Sequence, residues 1–173
     1  MEQFDLFDMY RIPTGELMDR GTQEPVDRYR QVVHVIIFNS RGEMLIQQRQ
    51  PTKKAWPNMW DVSIGGGVVA GEKPNEAAER ELKEELGIDF SFANVRPSFT
   101  SNFNNGFDDY YIVNMDLNLD DLTFQETEVK SADWASLEKI HKLIDANQFI
   151  PYRKGLIEFL FELKDAHYGA LDE

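Results

Sequence analysis

Cysteine is absent from the 173 residues of this chain. Its absence excludes disulfides, thiolate nucleophiles and zinc sites with sulfur ligands. Long apolar runs are missing too, because no segment approaches the roughly 20 apolar residues that a membrane-spanning helix needs. Residues 1–5 also lack the basic flank and the apolar stretch of a secretory signal. These absences predict a cytoplasmic protein that has no membrane partner.

Positive charge is scarce as well. Lysine and arginine number 18 against 31 acidic residues, which gives a formal net charge of −13. Proteins that bind nucleic acids need cations to displace counterions from the phosphates, so this balance argues against a nucleic-acid partner. A small phosphorylated substrate remains compatible with the charge, because divalent metal ions can supply positive charge locally.

The length of the chain predicts a single domain over residues 1–173, without repeats or a linker. Apolar and β-branched stretches predict strands, and the first two of these are expected to form a hairpin over 30–49. The strands are predicted at 30–38, 44–49, 61–69, 93–103, 108–118 and 127–134. The third of them is expected to pass into a glycine-rich turn at 65–67.

Three helices are predicted. The central one begins at Pro74, continues to about Glu85 and ends at Gly87, a residue type that favours the position after a helix. Apolar residues at helical spacing predict two more, at about 136–146 and 151–167. The order of strands and helices favours an α/β (α+β) fold, in which helices cover a mixed β-sheet in an α/β/α sandwich.

The central helix carries an unusual group of charges. At 100° per residue, one arc brings together Arg80, Glu81, Glu84 and Glu85. This arc adjoins the apolar stripe of Leu82 and Leu86, although a merely solvated acidic face would lie opposite it. Carboxylates without sulfur or histidine suit hard cations such as Mg²⁺ or Mn²⁺. Such ions neutralise phosphate oxygens and lower the pKa of a bound water, so the pattern predicts metal-assisted phosphate chemistry.

The surrounding sequence resembles a known motif. Gly66 is followed after five residues by Glu72, and after seven more by Arg-Glu-Leu-Lys-Glu-Glu-Leu-Gly-Ile at 80–88. Residues 66–88 thus match every fixed position of the Nudix box, G-x5-E-x7-R-E-U-x-E-E-x-G-U, where U is a bulky aliphatic residue. The resemblance implies a Nudix-type sandwich in which the box forms a loop–helix–loop. It also implies Mg²⁺- or Mn²⁺-dependent hydrolysis of a diphosphate linkage in a nucleoside diphosphate joined to a group X.

The resemblance further implies roles for the charged residues of the helix. Glu84 and Glu85 look like the principal metal ligands. Glu81 looks like a further ligand, or like the residue that orients or deprotonates the attacking water. Arg80 is expected to hold these glutamates by salt bridges.

Residues around the helix receive roles in the same way. Glu72 is expected to be structural or an outer metal ligand, and the carbonyl of Gly65 or Gly66 could complete the coordination. A more distant acid often contributes in this family. Glu126 and Glu128 are the candidates here, and they could equally be exposed charges at a strand edge.

A wider similarity, over roughly residues 5–165, points to the Nudix branch that includes isopentenyl diphosphate isomerase. It is carried by segments 33–39, 45–49 and 54–60. The isomerase needs a cysteine just before the box and a metal-binding histidine nearby. Gly65 and Gly67 stand at those two places, so we interpret the chain as a hydrolase on an isomerase-like scaffold. A Nudix module that binds a nucleotide without cutting it is the other alternative.

Outside the box, the sequence offers two candidate substrate contacts, each with an alternative role. Arg49 and Lys54 could bind substrate phosphate, or they could be surface cations. His34 lies in a β-branched strand and is expected to be packed or hydrogen-bonded there. The predicted partner is a small-molecule diphosphate, and the resemblance is also compatible with a homodimer. The X group cannot be read from the motif, because the box handles only the diphosphate.

Overall fold

The computed structural model describes residues 2–166. They form nine strands, namely β1 (Gln3–Phe7), β2 (Pro13–Asp19), β3 (Arg30–Phe38), β4 (Met44–Arg49), β5 (Trp60–Asp61), β6 (Ile64–Gly67), β7 (Phe99–Phe103), β8 (Gly106–Asn114) and β9 (Val129–Ala135). Their three α-helices are α1 (Pro74–Leu86), α2 (Leu137–Asp145) and α3 (Lys154–Leu163). None of these helices combines the length and the apolar character that crossing a membrane requires.

The central strand of the sheet is β3, which has β8 on one side and β6 on the other. β8 runs parallel to β3 over all nine of its residues. β6 pairs antiparallel with the first half of β3. β4 meets β3 only where Phe38 lies opposite Met44. It pairs with β5 at Gln47 and Gln48, and with β9 over its whole length. The predicted mixed sheet is therefore confirmed, but the predicted hairpin over 30–49 is paired only next to its turn.

Helices cover both faces of this sheet. Successive residues of a strand point to opposite sides, so β3 supplies side chains to two separate cores. On the side of α1 the buried residues include Val33, Val35, Ile37, Leu82 and Leu86. On the side of α2 and α3 they include Ile36, Phe38, Ile140, Ile157 and Leu160. This is the α/β/α arrangement expected from the sequence.

The segment predicted as one strand over 61–69 is divided into β5 and β6. Between them the Ser63 hydroxyl accepts a hydrogen bond from the amide of Ile37 at 2.9 Å and donates one to the carbonyl of Leu45 at 2.6 Å. This side chain ties the break to two neighbouring strands. Gly65 to Gly67 were expected to form a turn and instead lie extended in β6, paired with β3.

The remaining predicted strands are also shifted. β7 covers only the second half of the strand predicted over 93–103, and Pro97, which has no N–H to donate, lies in the part that is not a strand. β8 begins and ends earlier than the predicted 108–118. It ends at Asn114, opposite the last residue of β3, because no partner strand continues beyond that point.

The N-terminal hairpin of β1 and β2 was not predicted. β1 alternates over only five residues and β2 buries only Met18, so the hydrophobic pattern that marks a strand is short in the first and weak in the second. It packs on the loop before α1 through a small apolar cluster of Phe4, Leu6, Met18 and Val69. The amide of Ala70 also donates to the carbonyl of Gln3 at 2.8 Å. The hairpin is thereby fixed to the segment that leads into the central helix.

The central helix has the ends that the sequence predicts. Pro74 occupies its first position, and the side chain of Glu76 accepts a hydrogen bond from the amide of Lys73 at 2.9 Å. Gly87 ends it with a φ of 73°, a left-handed conformation that favours glycine. α2 follows Ser136, whose hydroxyl accepts from the amide of Lys139 at 3.2 Å.

The last helix is shorter than expected. The sequence predicts it over 151–167, whereas α3 covers Lys154–Leu163. The predicted end at 167 lies outside the described residues.

We predict that Leu82→Ala lowers the free energy of unfolding by about 3 kcal/mol, because Leu82 is fully buried between α1 and the sheet and its loss leaves a cavity. Urea unfolding measures the change. Lys83→Ala is the control, since Lys83 is exposed on the same helix. Equal stability of Leu82→Ala and Lys83→Ala would contradict this packing.

Candidate active site

Arg80 organises the charged face of α1. Its Nε and Nη2 atoms each lie 2.9 Å from an oxygen of Glu72, which makes a two-pronged ion pair. Its Nη1 donates to Glu81 at 2.7 Å and to Glu84 at 3.3 Å. Nη2 also donates to the carbonyl of Gly67 at 3.0 Å. One guanidinium therefore joins three carboxylates to the strand that precedes the helix, and Glu72 raises the pKa of Arg80 above its ordinary value.

Glu85 differs from its neighbours because it is buried, with 6% of its surface exposed. The side-chain amide of Gln47 on β4 donates to it at 2.8 Å. Burial raises the pKa of Glu85 to about 8, and the nearby charge of Glu81 adds to this effect. Glu84, in contrast, is about half exposed. The three glutamates of the motif thus lie in different environments on one helical face.

Glu81 is also largely buried, and its carboxyl rests against β6. Burial raises its pKa, and the charge of Arg80 acts in the opposite direction. A Cβ atom built on Gly66 would lie 2.0 Å from the Glu81 carboxyl, and one on Gly65 would lie 2.6 Å from Nε2 of His34. Glycine at these two positions is therefore what lets the helix and a strand histidine approach the backbone of β6 so closely.

A small polar cavity of about 140 Å³ opens above these carboxylates. Glu81, Glu84 and Glu85 line it together with Gly65 and Gly66. Acidic and basic side chains also line its walls, namely those of Glu2, Arg20, Arg49, Lys53 and Glu128.

Two residues chosen from the sequence lie elsewhere. Lys54 is exposed and is not among the described residues that line the cavity, whereas Lys53 lines it and pairs with Glu128. Glu126 is likewise exposed and outside the cavity. The structure thus brings Glu128, but not Glu126, to the site. These differences, of one position for the lysine and of two for the glutamate, are beyond what spacing alone can resolve.

A second cavity of about 490 Å³ continues from the first and shares Arg49, Gly65 and Gly66 with it. Part of its lining is a chain of polar contacts between Asp108, His34, Tyr152 and Asp61. Nδ1 of His34 lies 2.6 Å from Asp108, its Nε2 lies 3.4 Å from the Tyr152 hydroxyl, and that hydroxyl donates to Asp61 at 2.9 Å. His34 is therefore a hydrogen-bonded strand residue, as expected.

These contacts change the ionisation of the buried groups. Burial by itself lowers the pKa of His34, but the carboxylate of Asp108 outweighs it and the pKa is raised. Burial raises the pKa of Asp61, although His34 and Tyr152 oppose it. The lining of the larger cavity thus contains buried side chains that alter each other's pKa values.

The donor chemistry of the smaller cavity fits a hard divalent cation, because carboxylate and carbonyl oxygens meet there without sulfur. Within residues 2–166, however, no three acidic or histidine side chains converge into a ready-made cage. The reason is visible in the contacts: Arg80 engages Glu81 and Glu84, and Gln47 engages Glu85. A cation would compete with Arg80 and Gln47 for these oxygens.

Sequence reasoning missed several residues of the site. Gln47 is a polar residue inside an apolar strand, which is a signal for a buried partner. Glu2 and Arg20 belong to the N-terminal hairpin, whose packing on the loop before α1 has no local signature. Lys53 is the neighbour of Lys54, and the sequence does not distinguish which of these two lysines faces the cavity.

Comparison with known proteins identifies the relatives of this chain. The model of the NUDIX domain family matches residues 28–154. A protein described as an uncharacterized Nudix hydrolase, from Listeria innocua, is 43% identical over 166 residues, which cover 96% of this chain and 97% of that protein. A crystal structure of a Deinococcus radiodurans protein superimposes with a TM-score of 0.74 at 26% identity, covering 93% of this chain and 98% of the other. The isopentenyl-diphosphate Delta-isomerase of Escherichia coli is 30% identical over 90 residues, about half of each chain.

We predict that Gly66→Ala lowers the free energy of unfolding by about 1–3 kcal/mol, because the new methyl group has to displace the Glu81 carboxyl from Arg80. Thermal or urea unfolding measures this change. Gly155→Ala is the matched control, since a Cβ there meets no atom within 4 Å and alanine favours the helix. A stable Gly66→Ala protein would show that the Glu81 carboxyl is not held against β6.

Proposed function

Since the chain belongs to the Nudix hydrolase family, we propose that it hydrolyses a diphosphate linkage in a small molecule of the nucleoside diphosphate–X type, with Mg²⁺ or Mn²⁺. The observation that supports this most directly is the position of three glutamates on one face of α1, where all of them line the same cavity. Glu81, Glu84 and Glu85 line a cavity whose rim also carries cations that suit phosphate oxygens.

Glu84 and Glu85 are the residues that we propose as principal ligands of the cation, with Glu81 as a further ligand. The carbonyl of Gly65 or Gly66 is available at the same cavity. When bound, the cation neutralises charge on the phosphate oxygens and makes a nearby water more acidic. Without a cation, burial favours the protonated form of Glu85, and a bound cation would supply the ionic partner that its carboxylate lacks among the contacts described.

Residues of the protein orient the attacking water and supply a base for it. Glu81 has a raised pKa and lies beside the cavity, so we propose that it orients or deprotonates the attacking water. Arg80 keeps Glu81 and Glu84 in place through its hydrogen bonds, and Glu72 fixes Arg80 in turn. Glu72 thereby acts as a structural residue.

Cations beyond the helix are proposed to bind the phosphate groups. Arg49 lies where the two cavities meet, and it is 3.6 Å from Asp61, so its guanidinium is held at the junction. Phosphate binding was one of two alternatives for Lys54, and we propose it for Lys53 instead, because Lys53 is the lysine of this loop that lines the cavity. Glu128 is retained as the candidate distant acid.

The larger cavity is proposed to receive the X group. It is continuous with the site of the diphosphate, and it combines the aromatic walls of Trp56 and Phe103 with the carboxylates of Asp61 and Asp108. This mixture of aromatic and carboxylate lining favours a group that has an apolar body and a few hydrogen-bond donors.

The isomerase alternative is disfavoured by the surroundings of Gly65. The isomerase cysteine would stand there, and its Cβ would lie 2.6 Å from Nε2 of His34. The nucleotide-sensing alternative is disfavoured by the complete set of motif residues with Arg80 engaging them. A cytoplasmic location, the absence of nucleic-acid and membrane partners, and a homodimer stay predictions.

We expect Glu84→Gln and Glu85→Gln each to lower turnover by orders of magnitude while the proteins remain folded, because each substitution removes a charge that the cation needs. Product release is measured across nucleoside diphosphates, nucleotide sugars, dinucleoside polyphosphates and coenzyme diphosphates with Mg²⁺ or Mn²⁺. Glu138→Gln on α2 is the control, since Glu138 is exposed and pairs only with Lys142 among its described contacts. Full activity in both α1 variants would refute the assignment.

Cation binding is also expected to stabilise the fold. At a hundredfold excess over the dissociation constant, a cation that binds only the folded chain adds about 2.7 kcal/mol, which corresponds to a rise of several degrees in Tm. Thermal unfolding with increasing Mn²⁺ measures this rise, and it should shrink strongly in Glu85→Gln. A rise of the same size in Glu85→Gln would place the cation elsewhere.

A further inference from the structure

The N-terminal hairpin brings two charged residues to the proposed active site. Glu2 lies just before β1 and Arg20 just after β2, and both line the cavity that contains Glu81 and Glu84. The family model begins only at residue 28, so this part of the cavity wall is added by a segment outside the matched domain.

The hairpin is positioned firmly enough to hold a functional side chain there. The ring of Phe4 packs on Gly67, where a Cβ would lie 2.6 Å from it. Asp5 accepts a hydrogen bond from the amide of Gly71 at 2.7 Å. Both contacts are made with the segment that leads from β6 into α1, so the place of Arg20 is set relative to the carboxylates of the helix.

Arg20 differs from the other cations of the cavity in its exposure. Its side chain is 62% exposed, compared with 25% for Arg80 and 19% for both Arg49 and Lys53. Among the described contacts its ion-pair partner is Glu2, at 2.5 Å, and the side chain of Glu2 is itself 30% exposed. An ion pair with this exposure to water contributes little to stability, so the guanidinium can change partner at small cost.

A phosphate group can engage two nitrogens of such a guanidinium, whereas Glu2 accepts from Nη1 alone among the described contacts. Arginine binds phosphate through two parallel N–H bonds, and the interaction strengthens as water is excluded from a narrow cavity. We propose that Arg20 is a phosphate-binding residue that exchanges Glu2 for an oxygen of the substrate's diphosphate. This inference rests on the proposed function, since it assumes that the diphosphate lies over the carboxylates of α1.

Binding of methylenediphosphonate in the presence of Mg²⁺ tests the exchange without any turnover, because its P–C–P bridge is not hydrolysed. Isothermal titration calorimetry is carried out on the wild type, Arg20→Ala, Arg20→Lys, Glu2→Gln and Arg28→Ala. We expect about tenfold weaker binding in Arg20→Ala and an intermediate effect in Arg20→Lys, which keeps the charge but not the two-pronged geometry. Glu2→Gln should bind as tightly as the wild type or a few times more tightly, because it frees Arg20.

Arg28→Ala is the matched control. Arg28 also pairs with a glutamate of the hairpin, Glu16, but it does not line the cavity among the described residues, so binding should be unchanged. Thermal unfolding of Arg20→Ala and Arg28→Ala shows whether the N-terminal hairpin remains equally well docked in the two variants.

Three results would overturn the proposal. The first is unchanged binding in Arg20→Ala, and the second is no binding of the probe by the wild type. The third is an equal loss of binding in Glu2→Gln and Arg20→Ala, which would show that the ion pair has only a structural role. The proposed function fails separately, if no diphosphate of the substrate panel is cleaved. In that case, probe binding that still depends on Arg20 would support Arg20 as a phosphate-binding residue, and only the proposed hydrolysis would be refuted.

Discussion

The structure of this site depends on the contacts of one guanidinium. Three carboxylates on neighbouring turns of a helix repel each other, and two of them are additionally withdrawn from water. Arg80 offsets this repulsion by donating to Glu72, Glu81 and Glu84, and it also binds the carbonyl of Gly67. The acidic face of α1 is therefore fixed to the end of β6, and the cavity above it has a defined shape.

The glycines of β6 are the second requirement, and each serves a different neighbour. Gly66 admits the carboxyl of Glu81, Gly65 admits the ring of His34, and Gly67 admits the ring of Phe4. The helix, the central strand and the N-terminal hairpin all approach one short strand because its last three residues are glycines. The same absence of side chains separates this scaffold from the isomerase, since a cysteine at position 65 would collide with His34.

This packing leaves two cavities, and their linings suit different parts of a substrate. The smaller one holds the carboxylates and cations that suit a metal and a diphosphate, while the larger one is lined by Asp108, His34, Tyr152 and Asp61 in hydrogen-bonded sequence. Arg49 touches both. A substrate whose diphosphate lies over α1 would extend its X group toward residues from three strands and from the segment between α2 and α3.

Much of the central helix could be predicted from the sequence, because helix geometry and helix ends are local. Pro74 and Gly87 mark its limits, and a rotation of 100° per residue places Arg80 beside the glutamates. The mixed sheet was likewise predictable from the order of the elements. The glycine-rich segment was interpreted as a turn and is a strand, since only pairing with β3 makes the extended conformation of Gly65 to Gly67 favourable.

By itself, then, the sequence determined the family, the mixed sandwich and the residues of α1 that face the cavity, since each depends on spacing along the chain. Only the tertiary structure decided that Lys53 and not Lys54 faces the site, that Gln47 contacts Glu85, and that Glu2 and Arg20 reach the cavity. These positions depend on contacts between segments far apart in sequence, where a shift of one residue reverses the direction of a side chain. Local patterns carry no information about such contacts until the elements have packed.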